Sequence, residues 1–117
     1  MTIRRLKTYA GSQGYVYQYY FVGQRSAPGP PQGIEYIFDV TSDRKLTYSV
    51  SILLPRSIVL AWVETHSRPL SDSEQYAAVK LRLFRAFDEI EDMQAKGRNL
   101  EVDLEFLGEA LSSLGVE

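Results

Sequence analysis

The chain has 117 residues, 44% hydrophobic and 24% charged, with no cysteine and a formal net charge of −2. That is the size of one ordinary domain, able to bury about two thirds of its unfolded surface without metal or disulfide staples, and the composition excludes a disordered chain. The lack of cysteine excludes disulfides, thiolate metal sites and a cysteine nucleophile, and it fits a reducing compartment.

The basic residues near the N-terminus are not followed by a continuous apolar stretch, so no signal peptide is expected. The most apolar run, Val50 to Val63, is broken by Pro55 and Arg56, well short of the ~20 apolar residues a spanning helix needs. The expectation is a cytoplasmic protein without a membrane partner. Charge is uneven along the chain. Residues 1–60 carry seven Lys/Arg and three Asp/Glu, while residues 61–117 carry six and twelve. The positive front half and acidic back half can attract each other within one fold or between copies.

Residues 3–9 read as a short strand, and residues 10–14, AGSQG, as a turn. Residues 15–23 follow as a second strand, dense in rings: Tyr15, Tyr17, Tyr19 and Phe21 alternate with Val16, Gln18, Tyr20 and Val22. QRSAPGPPQG, residues 24–33, has three prolines and two glycines and reads as a loop. Residues 34–41 alternate, with Ile34, Tyr36, Phe38 and Val40 on one side and Glu35, Ile37 and Asp39 on the other. After the short connection SDRK, residues 46–54 alternate again, which is a hairpin signal. These two strands each pair an apolar face with a polar one, as in an antiparallel sheet covered on one side.

Pro55 suits the first turn of a helix, and residues 56–66 read as a short helix with a strand as the alternative. Ser71 or Asp72 can cap the next helix, which the pattern extends over 73–94, with Gly97 as a C-terminal cap. Residues 99–102 stay open between strand and helix. A helix is expected over 103–114. The order of elements predicts one α+β domain over 1–117, with a sheet half (1–54) and a helical half (55–117). The sheet is a four-stranded antiparallel meander, followed by two or three helices packed on one of its faces.

Chemistry is sparse. His66 is the only histidine, and no nucleophile elbow or relay spacing surrounds it. A single histidine also argues against zinc. No metal, cofactor or catalytic residue is assigned, and an enzyme is not the favoured reading. Asp88, Glu89, Glu91 and Asp92 cluster near a helix C-terminus, where the macrodipole disfavours them; Arg85 offsets part of this, four residues before Glu89. Lys80 falls on the apolar arc of the long helix. It reads as a rim residue with its stem on rings, with pairing to Asp39, Glu35 or Glu64 as the alternative.

Three function classes are weighed. The favoured one is a small non-enzymatic protein that works through protein contacts, with itself as a homodimer or with another protein. Its candidate surfaces are Val16, Tyr20, Val22 and Ile37 on the sheet, and the tail leucines Leu104, Leu107, Leu111 and Leu114. The sheet patch is expected to be covered by the tail or by another subunit. The second class is a small-ligand binder or minor enzyme with a pocket between sheet and helices, using Lys80, His66, Arg68, Tyr36 and Tyr48. Nucleic acid ranks third. The rings and Arg4, Arg5, Lys7 and Arg25 invite it, but the pI near 5.4 and the acidic residues on the long helix oppose phosphate.

Overall fold

A computed structural model describes residues 6–117; residues 3–5 of the first predicted strand, with Arg4 and Arg5, lie outside them. The chain is an α+β fold. Strands β1 (Lys7–Ala10), β2 (Val16–Ser26), β3 (Gly33–Thr41) and β4 (Tyr48–Pro55) form an antiparallel meander. Helices α1 (Arg56–His66), α2 (Asp72–Glu89) and α3 (Met93–Lys96) follow, then strand β5 (Asn99–Glu101) and helix α4 (Leu104–Ser113). β5 pairs parallel to β4, completing the spatial order β1-β2-β3-β4-β5. A parallel neighbour needs a long crossover, and α1 to α3 supply it. Among the described residues no helix is long and apolar enough to cross a membrane.

The alternation of the strands decides which face is covered. Tyr17, Tyr19, Tyr36, Phe38, Val40, Tyr48, Val50, Ile52 and Leu54 are all buried against the helices. From the helices come Trp62, Val79, Leu83, Phe87, Leu107 and Leu111, each nearly or fully inaccessible. The ring contacts bind α2 to the sheet: Phe87 stacks on Tyr17 at 4.1 Å, and Phe84 stacks on Tyr9 at 4.4 Å.

Several boundaries differ from the sequence reading, each for a local reason. The fifth strand settles residues 99–102, where the alternation of Leu100 and Val102, both buried, places the chain beside β4. β2 runs on to Ser26, so the predicted ten-residue loop shrinks to residues 27–32, closed by the Ala27 N–H donating to the Gly33 carbonyl at 2.9 Å. That turn contains a cis Pro30–Pro31 bond. Gly33 must be glycine, because a Cβ there would collide with the Leu54 carbonyl and sit 2.8 Å from Pro55 Cα.

β4 starts at Tyr48 rather than residue 46. The Asp43 carboxylate accepts from the backbone N–H groups of Lys45 and Leu46 at 2.8 and 2.9 Å, which keeps them in the turn and leaves Leu46 half exposed. The acceptance of these N–H groups also holds the Asp43 carboxyl below its ordinary range.

The long helix stops at Glu89, not residue 94. Its start is a full capping box: the Ser71 hydroxyl accepts from Glu74 N–H and the Glu74 carboxylate accepts from Ser71 N–H. Its last turn has no basic residue, and carboxylates crowd the negative end of the dipole. The chain turns extended at Ile90 and restarts at Asp92, whose side chain caps α3. Met93 therefore reaches the core from α3 instead of from α2. α1 and α4 form as helices where expected, and α1 closes on Ser67 in the left-handed region.

β2 contains one irregularity. Phe21 opposes Phe38 and Gly23 opposes Ile37, so Val22 is an extra residue in a bulge. Before the bulge the odd-numbered residues face the helices. After it Gln24 opposes the buried Tyr36, and Arg25 turns to the far face beside Glu35.

Candidate functional site

The helices cover one face of the sheet, and the other face is built from what alternation leaves over. β2 contributes Val16, Gln18 and Tyr20, then Gly23 and Arg25 past the bulge, with Val22 exposed in the bulge itself; β3 contributes Glu35, Ile37 and Asp39; β4 contributes Ser49, Ser51 and Leu53. Val16 is 50% exposed and Val22 40%, whereas Tyr20, Ile37 and Leu53 are half-buried. The polar groups between them bond to one another. Tyr20 donates to Asp39 at 2.7 Å, and Ser49 donates weakly to the same carboxylate at 3.5 Å. Ser51 donates to Glu35 at 2.9 Å, and Arg25 pairs with the same oxygen at 3.2 Å.

The tail does not cover this face. α4 packs against α1 and α2, and of the four tail leucines Leu107 and Leu111 are fully buried in the domain's own core. They are not available to a partner in the folded chain. Only Leu104 and Leu114, 45% and 44% exposed, remain at the surface. The helical spacing of the leucines was a core signal for half of the stripe.

The five pocket candidates do not converge. Tyr36 is buried beside Phe21 and Tyr76, with ring centroids 6.3 Å away in each case. Lys80 lies half-buried with its Nζ 5.9 Å from the Tyr76 ring and 5.8 Å from Phe84. Burial and the neighbouring Lys7 hold its pKa below the ordinary value. No described carboxylate pairs with it, so the rim geometry with its stem on rings describes it. His66 stacks on Trp62 at 4.0 Å, and its Nδ1 is 2.9 Å from the Trp62 carbonyl. Arg68 makes a two-toothed contact with Glu74 at 2.9 and 3.3 Å and lies 5.7 Å from the Trp62 ring. Arg68 thus ties the end of α1 to the start of α2 through Glu74, while His66 stacks on Trp62 within α1.

Of the five, Tyr48 lines a hollow among the described residues. This hollow, about 400 Å³, opens between the β1–β2 turn, the β3–β4 turn and α3. Tyr15, Tyr17, Ser42, Tyr48, Glu91, Asp92, Met93 and Gln94 line it. The Tyr15 and Tyr17 rings are tilted by 56° with centroids 6.3 Å apart. Burial pushes the Tyr48 hydroxyl up to about 12, helped by Tyr17 and Asp92, and burial with Tyr15 and Asp92 raises Tyr17.

The acidic cluster beside this hollow is largely in use. Asp88 accepts from the Tyr9 hydroxyl at 2.8 Å and from the Ser12 N–H at 2.9 Å, fastening the β1–β2 hairpin to the end of α2. Glu89 pairs with Arg85 at 3.0 Å, and Asp92 caps α3 by accepting from Ala95 N–H at 3.2 Å. Sequence reasoning saw the ringed strand and the acidic run separately. The Asp88 bonds that bring them together span nearly eighty positions and leave no local signal. A second hollow, also about 400 Å³, lies at the other end of the sheet between the 27–32 turn and α1, lined by Ser26, Ile34, Leu54, Arg56 and Gln75 among others.

Among the described residues no group of three histidine or carboxylate side chains converges as a metal site. Comparison with protein-family models, with curated proteins and with solved structures finds no match to the chain.

Proposed function

We propose that the protein acts through protein contacts and pairs with a second copy of itself through the uncovered face of its sheet, as a non-enzymatic cytoplasmic component. The observation that carries this reading is the makeup of that face. Val22 stands out to solvent beside Ile37, with Leu53 diagonally across on β4 and the exposed Val16 farther along β2, and the polar groups among them are already hydrogen-bonded within the face. Covering polar groups that have partners costs far less than covering groups that lose water and gain nothing. Two sheets with such faces pack at a small angle, side chains interdigitating, and a two-fold axis lets one patch meet its own copy.

Sedimentation equilibrium across the micromolar range tests the reading. A mass that rises toward twice that of the chain supports it, and a strictly monomeric mass throughout sinks it.

A further inference from the structure

One amine of the chain has surroundings unlike those of the other lysines. The chain has four, Lys7, Lys45, Lys80 and Lys96. Lys45 and Lys96 are exposed. Lys80 is half-buried on α2, with its Nζ 5.9 Å from the Tyr76 ring and 5.8 Å from Phe84.

The fold then sets a second cation against it. Lys7 lies opposite Tyr19 in the β1–β2 pair, so its side chain shares the helix-covered side of the sheet with Tyr9 and Tyr19. Phe84 stacks on Tyr9 and meets Tyr19 edge-on at 5.6 Å. Lys80 stands one turn before Phe84 on α2, and Lys7 stands two residues before Tyr9 on β1. The ring contacts thus bring the two amines within hydrogen-bonding reach of each other. Neither makes an ion pair among the described residues.

An ammonium that is partly desolvated and faces another cation is disfavoured against the neutral amine. Burial first, and Lys7 second, hold the Lys80 amine below its ordinary pKa. The neutral amine is the nucleophile, and desolvation and a cationic neighbour are two ways in which a lysine is activated toward carbonyl compounds. The other titratable groups at this rim are Tyr9, Tyr19 and Tyr76, whose hydroxyls burial holds protonated above their ordinary value. Tyr9 donates to Asp88.

We propose that Lys80 is a nucleophilic amine that captures small 2-oxo acids reversibly as imines, with the Lys7 ammonium holding the carboxylate of the captured acid. The Nζ lone pair attacks the carbonyl carbon and the π pair moves to oxygen, which takes a proton. Loss of water and of the Nζ protons leaves the C=N bond, and no oxidant or reductant is consumed. A 2-oxo acid suits the pair because its carboxylate is one bond from the carbonyl, so an imine on Lys80 carries that charge beside Lys7. The site lies on the helix-covered side of the sheet and stands independently of self-association.

The test is reductive labelling of the full chain with glyoxylate and cyanoborohydride, read by peptide mass mapping at each of the four lysines, with propanal as the neutral carbonyl. Lys80 is expected to take up glyoxylate about five-fold faster or more than Lys45 and Lys96, and its labelling rate should reach a plateau at lower pH than theirs. Propanal, which gives Lys7 nothing to hold, should show a smaller preference for Lys80. Lys7→Met, at an exposed position, should leave circular dichroism unchanged and lower glyoxylate labelling of Lys80 by about five-fold, toward the level of Lys45 and Lys96. Two results would each overturn the proposal: Lys80 labelled no faster than Lys45 and Lys96, or Lys80 labelled at the wild-type rate in Lys7→Met. An equal preference for Lys80 with propanal would overturn the 2-oxo acid class.

Discussion

Phe87 is where the sheet and α2 meet most closely, and its removal tests how the rings hold the fold. The side chain is fully buried. Its ring stacks on Tyr17 at 4.1 Å and lies 5.7 Å from Tyr9 and 6.1 Å from Tyr19. Phe87→Ala removes that ring from the centre of the layer and leaves a cavity walled by three tyrosines that cannot collapse without moving β1 and β2. Aromatic-to-alanine changes in cores cost about 3–5 kcal/mol. A domain of this length has a total stability of roughly 6–18 kcal/mol at typical values per residue, so the variant still folds but loses a large share of its margin. Phe87→Leu keeps most of the apolar volume and should cost about 1–2 kcal/mol, chiefly the lost ring contacts. Urea unfolding followed by circular dichroism and by the emission of Trp62, 2% exposed when folded, reads both. With a slope of about 2 kcal/mol per molar urea, the alanine midpoint should fall by about 1.5–2.5 M. A fall below about 0.5 M would refute the claim that this ring is the seam between sheet and helix.

Three further outcomes follow from other parts of the molecule. Ser71→Ala removes the hydroxyl arm of the α2 capping box and should cost about 0.5–2 kcal/mol in the same urea assay, with unchanged slope. Burial raises the hydroxyl pKa of Tyr9, Tyr17, Tyr19, Tyr36, Tyr48 and Tyr76, that of Tyr48 to about 12. Because the folded state holds these protons more tightly than the unfolded chain, their contribution to stability is present below the unfolded value near 10 and is lost as pH rises through the folded values. Melting temperatures should thus fall between pH 10 and 12, and phenolate absorbance should appear together with unfolding. Lys80→Met, which keeps the stem on Tyr76 and Phe84 and strips no described carboxylate of a partner, should change stability by less than about 1 kcal/mol. Lys80→Ala should cost more than Lys80→Met because it also removes the stem, and a cost of about 3 kcal/mol or more for Lys80→Met would point to an ion pair instead.

Alternation and helical periodicity made the α+β class and the covered face legible in the sequence. Tyr36, Phe38 and Val40, and Tyr48, Val50 and Ile52, needed only period two to be placed inward. What stayed illegible depends on long-range or side-chain-to-backbone bonds. Asp43 holds Leu46 out of β4 through backbone N–H groups, and neither partner breaks the apolar alternation. The end of α2 is set by acids at the wrong pole of a helix and by the bonds of Asp88 to Tyr9 and Ser12, so a pattern of apolar residues overran it. β5 is three residues long, too short for periodicity to separate it from the helical spacing of the same leucines. The bulge at Val22 and Gly23 shifts the register of β2 without altering its composition.

For the sites, alternation put Val16, Tyr20 and Ile37 on the face the helices leave uncovered, where strand pairing also sets them, while Val22 falls in the bulge. The hollow was not legible, because Tyr15, Tyr48 and Asp92 meet only after the hairpin turns and the α2–α3 break are in place. The ring-rich segment divides accordingly. Tyr17, Tyr19 and Phe21 pack toward the helices, Tyr20 bonds to Asp39 on the far face, and Tyr15 stands at the rim of the hollow.

The central claim is that the uncovered sheet face is where two copies meet. Val22 sits in the bulge of β2, 40% exposed, so Val22→Lys should alter the stability of the single chain by no more than about 0.5 kcal/mol. It sets two like charges and two long side chains into a face-to-face contact. Sedimentation equilibrium of the wild type and Val22→Lys, with urea unfolding of both in parallel, separates association from folding. The expected result is a wild-type dimer whose dissociation constant rises by about ten-fold or more in the variant, a loss of about 1.4 kcal/mol or more, while the unfolding midpoint of the monomer is preserved. An unchanged dissociation constant, or a wild type that remains monomeric at every concentration, would contradict it.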